Sequence, residues 1–175
     1  MAGQLLYVKS DNNTHKDNEY YTPKSVVDFF GKFDYDPATT FEKAKEFGIS
    51  IYDTIETNGL TTDWCKYKRI WINPPFTDKH IFLKKACDTY KLVKNDIYIL
   101  FPIEFLTTKR FHDCMVGLGG KLFIPNGRIN FESGLGKKGK SPAFGSVVMK
   151  IQDNWEIVLI DNEDLKRDNG WSDLD

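Results

Sequence analysis

Apolar residues along this chain come in short runs separated by longer stretches with helical spacing. After a polar lead-in, "KSDNNTHKDNE" at 9 to 19, the run "YYTPKSVVDFFG" places Val26, Val27, Phe29 and Phe30 on one face. Thr22 is a candidate cap, Pro23 suits the first turn and Gly31 the end. The strand "KFDYD" follows, then a helix over "TTFEKAKEFG" closed by Gly48, a strand at "SIYDTI", a loop through "ETNGLTTDW" and the strand "RIWIN". Ile81, Phe82, Leu83, Ala86 and Tyr90 then recur at helical spacing, and "DIYILFP" is an almost unbroken apolar strand that needs cover on both faces. A helix around "TTKRFHDCMVGL" leads to "KLFIP", "RINFE", "FGSVVMKI" and "WEIVLID". Alternating β and α predicts an α/β fold with a mostly parallel sheet flanked by helices. The last runs, with no helix between them, predict antiparallel C-terminal strands.

This pattern divides the chain into an N-terminal polar arm (1–19), one domain (20–161) and a polar tail (162–175). Its 175 residues suit a single core. A net charge of −1 means that any positive surface for nucleic acid must be local. Cys65, Cys87 and Cys114 form no CxxC, and His15, His80 and His112 are scattered, so no metal site is expected and the cysteines read as reduced. No stretch has the apolar length of a membrane span and no leader pattern opens the chain, so a cytoplasmic protein is expected.

In parallel sheets ligands sit beyond the carboxyl ends of strands. Two unusual turns fall there, "DYDPA" and "NPPF", and both are expected to face one crevice. Pro74 and Pro75 make a stiff turn whose carbonyls are free to accept, and Asn73 adds a side-chain acceptor. Two convergent acceptors fit an NH2 group on a flat ring, with Phe76 stacking on that ring for roughly 1–3 kcal/mol. A loop with an aromatic plug is the plainer reading of the same four residues. Asp36 can meet an ammonium group or simply form a turn before Pro37. Asp53 and Glu56 are candidate ribose acceptors or solvated carboxylates. Trp64 and Trp71 read as core. Between the last strands, "SGLGKKGKSP" is a cationic loop whose Lys137, Lys138 and Lys140 are candidates for phosphate contacts. Arg128 either adds to them or braces the loop.

Taken in order, "YYTP", "FDYDPA", "NGLTTDW", "IWINPPF", "ILFP", "GRINF" and "PAFGSVVM" resemble the phage and prophage N6-adenine DNA methyltransferases, Dam-like enzymes, over about residues 19 to 150. The resemblance implies a Rossmann-like class I methyltransferase fold, S-adenosyl-L-methionine as methyl donor and adenine in double-stranded DNA as acceptor. It implies that Asn73, Pro74, Pro75 and Phe76 hold a flipped base. Asp36, Pro37 and Ala38 would border the cofactor, with Tyr21, Thr22 and Pro23 completing its pocket. Three departures stand out: no glycine follows the first strand in "DPATTFE", Phe76 replaces the more usual tyrosine, and Asn58 stands where aspartate is common. Another planar NH2 (cytosine N4, RNA adenine or a protein glutamine) would suit the same clamp, and a non-catalytic DNA- or protein-binding descendant is the alternative of a different class.

Overall fold

The computed structural model describes residues 20–133 and 142–166. Its strands are β1 (Tyr20–Tyr21), β2 (Tyr35–Asp36), β3 (Ile51–Tyr52), β4 (Arg69–Ile72), β5 (Asp96–Pro102), β6 (Gly119–Pro125), β7 (Glu132–Ser133), β8 (Ser146–Gln152) and β9 (Glu156–Ile160). Its helices are α1 (Lys24–Phe29), α2 (Phe41–Phe47), α3 (Lys79–Val93), α4 (Lys109–Cys114) and α5 (Asn162–Lys166). Seven strands form one sheet in the order β3-β2-β4-β5-β8-β6-β9, and β1 pairs with β7 in a separate ribbon. Pairs β2–β3, β2–β4, β4–β5 and β6–β9 are parallel, whereas β8 is antiparallel to both neighbours. The fold is the expected α/β class, a mostly parallel sheet between helices.

Side-chain alternation explains the layering. Ile70, Ile72, Ile97, Ile99 and Phe101 point to one face and pack on Phe82, Leu83, Ala86 and Tyr90 of α3. Trp71, Tyr98 and Leu100 point to the other and meet Val26, Val27 and Phe33. Both faces of β5 are therefore buried, and each aliphatic side chain so covered contributes roughly 1.5–3 kcal/mol.

Several local expectations change. Residues 152 and 156 are joined by a turn short enough for a hairpin, yet β9 lies beside β6 rather than β8. The turn passes over the start of β6, where a Cβ on Gly119 would come within 2.2 Å of Asn154. A side-chain-free residue there lets the chain cross, so β9 joins in parallel and the antiparallel character belongs to β8. "RINFE" forms only the two-residue β7, because Ile129 and Phe131 are buried in the core as plugs instead of extending a ladder. At α1 the N-cap is Pro23 with no side-chain cap bond, so Thr22 does not cap it, and Phe29 is 42% exposed rather than on the buried face. Gly48 ends α2 as expected, at φ 70°, and Thr40 caps its start, accepting from Lys43 N. Asn162–Lys166, assigned to the tail by composition, form a helix with Leu165 buried. The polar arm, and Lys137, Lys138 and Lys140, lie outside the described residues. Among the described residues no helix is long and apolar enough to cross a membrane.

Candidate active site

Strands β2 and β4 are neighbours, so the turns that end them open side by side. Asp36, Pro37 and Ala38 from one, and Asn73, Pro74, Pro75 and Phe76 from the other, line a single cavity of about 820 Å³ together with Tyr21, Thr22 and Glu56. That volume falls within the range of small-molecule and cofactor sites.

On the β2 side Asp36 is 1% exposed, and one of its carboxylate oxygens accepts from Ala38 N at 2.9 Å. Burial pushes its pKa up from 3.8 to about 7, with the Ala38 bond opposing. A carboxylate in that position gains from any cation placed beside it. Two buried polar atoms of the cavity wall, Thr22 Oγ1 and Trp71 Nε1, have no hydrogen-bond partner among the described residues. In place of a glycine after β2, Gly59 comes in from the following loop. A Cβ there would lie 2.1 Å from the Pro37 carbonyl oxygen, so the loop backbone packs directly on the Asp36-Pro37-Ala38 turn. Asn58 adopts φ 56°, which asparagine tolerates, and its side chain accepts from Leu60 N at 3.2 Å. Its role is a neutral turn cap.

Asp53 does not line the cavity. Its carboxylate accepts from the Tyr35 hydroxyl at 2.5 Å and the Thr62 hydroxyl at 2.7 Å, a brace between β2 and the loop. Partial burial would raise its pKa, but the bonds from Tyr35, Thr62 and Thr57 outweigh that and hold it low. Glu56 is exposed at the rim, accepting from the Thr54 hydroxyl at 2.6 Å. Pro23 is buried at the start of α1 and does not reach the lining.

On the β4 side the Asn73 amide nitrogen donates to the Tyr20 carbonyl at 2.8 Å, which assigns the opposite end of the amide to oxygen. The Pro75 carbonyl is not free, since it accepts from Asp78 N at 3.0 Å. This leaves the Pro74 carbonyl, which takes no hydrogen bond among the described residues, as the second acceptor. The Phe76 ring stacks on Tyr20 at 5.1 Å and 25°, and meets Phe144 at 5.1 Å and 79°. The Phe76 carbonyl accepts from Lys79 Nζ at 2.5 Å. The turn is thereby tied down at both ends.

A model of the DNA N-6-adenine-methyltransferase (Dam) family matches residues 9–170. The chain belongs to this family. The DNA N-6-adenine-methyltransferase of Escherichia phage T1 is 29% identical over 150 residues, 75% of this chain and 61% of the relative. The chain thus spans about three fifths of the length of that curated relative. Among solved structures, one described as a predicted O-methyltransferase from Agrobacterium tumefaciens is similar with a TM-score of 0.45 and 8% identity, over 80% of this chain and 86% of that one.

In this Dam-family chain, Arg128 acts as a brace, its guanidinium donating to the Pro142 carbonyl at 3.2 Å. Sequence reasoning gave no site role to Tyr20, Gly59, Trp71, Phe144 and Lys43. Trp71 is indeed fully buried, and it is also part of the cavity wall. Lys43 reaches from α2 to Glu132 on β7 and to Glu46 at 2.8 Å, anchoring the β1–β7 ribbon beside the cavity. The glycine in "NGL" carried a sequence signal, whereas Tyr20 and Phe144 depend on β1 and residues 142–144 coming together with the Phe76 turn. Among the described residues no group of three or more His, Cys, Asp or Glu is gathered as a metal site.

Proposed function

We propose that this Dam-family member transfers a methyl group from S-adenosyl-L-methionine to the N6 amino group of adenine in DNA. The observation that carries this reading is the fixed orientation of Asn73. With its nitrogen engaged by Tyr20, its oxygen and the Pro74 carbonyl are two acceptors on one rigid turn, in the same cavity as a buried carboxylate.

The residues of the β2 side fit the methyl donor. Asp36 would take the ammonium of its methionine part, Tyr21, Pro37 and Ala38 would border it, and the unpartnered Thr22 hydroxyl and Trp71 indole offer polar contacts within the wall. When bound, this cofactor supplies an electrophilic methyl on a positively charged sulfur. Of the two candidate ribose acceptors, Glu56 lines the cavity and Asp53 does not, so Glu56 would be the one to meet a ribose hydroxyl.

Adenine reaches such a cavity only after leaving the base stack, at a cost of a few kcal/mol. Stacking on Phe76, beside the aromatic wall of Tyr20 and Phe144, offsets roughly 1–3 kcal/mol of that cost. Asn73 Oδ1 and Pro74 O accept the two N6 hydrogens and draw the nitrogen lone pair out of the ring's conjugation. N6 so held would be the nucleophile toward the electrophilic methyl that the cofactor supplies when bound, and one of its two protons would pass to water. Positioning and fixed acceptors contribute the catalysis, and no ionised base is required.

The test is transfer of labelled methyl to duplex DNA, with the modified nucleoside identified by mass spectrometry. Asn73→Ala is expected to lower transfer at least a hundredfold while cofactor binding persists. Wild-type transfer by that variant, or a product other than N6-methyladenine, overturns the reading.

A further inference from the structure

We infer that Lys79 and Arg110 form a cationic surface that holds the DNA backbone beside the target base. This rests on the reading of the cavity as an adenine site, and concerns how the polymer is held outside it.

α3 begins beyond the carboxyl end of β4, whose turn lines the cavity, and α4 beyond that of the neighbouring strand β5. α3 starts directly after the Asn73–Phe76 turn, and α4 follows β5 after one turn of 3₁₀ helix. The Cys114 thiol donates to the His80 carbonyl at 3.6 Å, which docks α4 against the start of α3. Lys79 lies 5.2 Å from the Phe105 ring centroid and donates to the Phe76 carbonyl, so its charge sits against the turn that would receive the base. Arg110 is exposed and has no ion pair or hydrogen bond among the described residues.

The local charges are mutually unfavourable as they stand. Partial burial lowers the pKa of Lys79, Arg110 lowers it further, and Asp78 opposes both. His80 is likewise lowered by partial burial, then by Arg110 and Lys79, again with Asp78 opposing. Lys109 is already neutralised by Asp113 at 2.6 Å, and Glu104 is exposed on the intervening turn. The first turn of α3 holds no acidic side chain and Asp78 makes no cap bond, so the positive end of this 15-residue helix adds to the potential. Lys79 and Arg110, offset only in part by Asp78, gain from an anion, and on a chain of net charge −1 this is local positive charge beside the cavity. A base inserted at Phe76 carries its flanking phosphates to the mouth of the cavity, where phosphate contacts set register without reading sequence.

The experiment is fluorescence anisotropy of a labelled DNA duplex between 50 and 300 mM KCl, with no methyl transfer required. Arg110→Gln and Lys79→Gln are each expected to weaken binding by about 3- to 10-fold and to reduce the slope of log K against log salt by about 0.9, one phosphate contact each. Arg110→Gln should keep wild-type cofactor affinity and melting temperature, and Lys109→Gln should bind DNA as wild type does. The inference fails if both Gln variants keep the wild-type slope, whatever their affinity, or if the wild-type protein binds single-stranded RNA with this slope and duplex DNA not at all. A wild-type protein that shows the expected slopes but transfers no methyl to DNA leaves this surface standing and removes the catalytic reading. Efficient methylation with an unaffected Arg110→Gln removes the surface alone.

Discussion

The turns that end β2 and β4 use the same local device for opposite electrostatic ends. Each closes a short buried strand with a polar residue followed by proline, which stops the ladder and projects a side chain into the cavity. Asp36 at the first is an almost fully buried carboxylate with one backbone donor, poorly compensated until a cation arrives. Asn73 at the second is neutral and held by a carbonyl that only a donor can satisfy. One turn presents a buried carboxylate and the other a neutral, oriented amide. The difference lies in what surrounds the side chain rather than in the turn itself.

Exchanging the chemistry of the second turn should have the largest effect. Asn73→Asp offers a stronger acceptor in the same volume, so a clamp needing only acceptors would tolerate it. Here the new carboxylate oxygen would face the Tyr20 carbonyl at the distance now spanned by a hydrogen bond, 2.8 Å. The side chain must turn away, and loss of one preorganised contact costs roughly 10²–10³ in rate. We expect kcat/KM at pH 8 to fall about a hundredfold or more, and to recover relative to wild type as pH approaches 5.5, where a protonated carboxyl can donate to Tyr20. The same recovery should appear in the melting temperature without DNA or cofactor. A variant as active as wild type across this range would show that the Tyr20 contact does not matter.

The first turn should show a smaller effect with the opposite dependence on charge. Because the pKa of Asp36 is raised from 3.8 to about 7 in the folded chain, the unfolded chain gives up this proton first. Stability of the cofactor-free protein therefore falls as pH rises from about 4 to about 7, by up to about 1.4 kcal/mol per unit, and levels off above. A cationic ligand prefers the ionised carboxylate, so cofactor affinity should weaken below about pH 7, approaching tenfold per unit. Asp36→Asn should abolish both dependences, raise the melting temperature of the free protein at pH 8 and weaken cofactor binding about 10- to 100-fold, the scale of a charged hydrogen bond. Calorimetric titration and thermal unfolding measure the two halves. Unchanged affinity in Asp36→Asn would break the contrast between the turns.

How far the sequence discloses this site follows from how local each feature is. Strand periods, the helix end at Gly48 and the two proline turns are set by residues within a few positions, and all were legible. The β9 placement was not, because it depends on Gly119 leaving room for Asn154, a contact between strands that the pattern treats as unrelated. Nor was the structural duty of Asp53, which only the approach of Tyr35 and Thr62 reveals. Tyr20 was hidden for the same reason: its contacts with Asn73 and Phe76 span more than fifty residues, and a two-residue strand on a ribbon has no period to detect.

The smallest expected effect is that of Phe76→Tyr. In this cavity the ring is flanked by Tyr20 and Phe144, so its contribution is area and π-surface rather than a polar contact. Phe76→Tyr keeps that surface, and because the ring is only half-buried a new hydroxyl can be satisfied by water. Phe76→Ala removes the stacking partner itself. We expect kcat/KM on duplex DNA to change by no more than about 3-fold in the tyrosine variant. In the alanine variant it should fall by about 5- to 150-fold, the equivalent of roughly 1–3 kcal/mol of base stacking. A tyrosine variant as damaged as the alanine one would mean that the clamp excludes polar atoms from this wall, and the second turn would then be selective against more than charge.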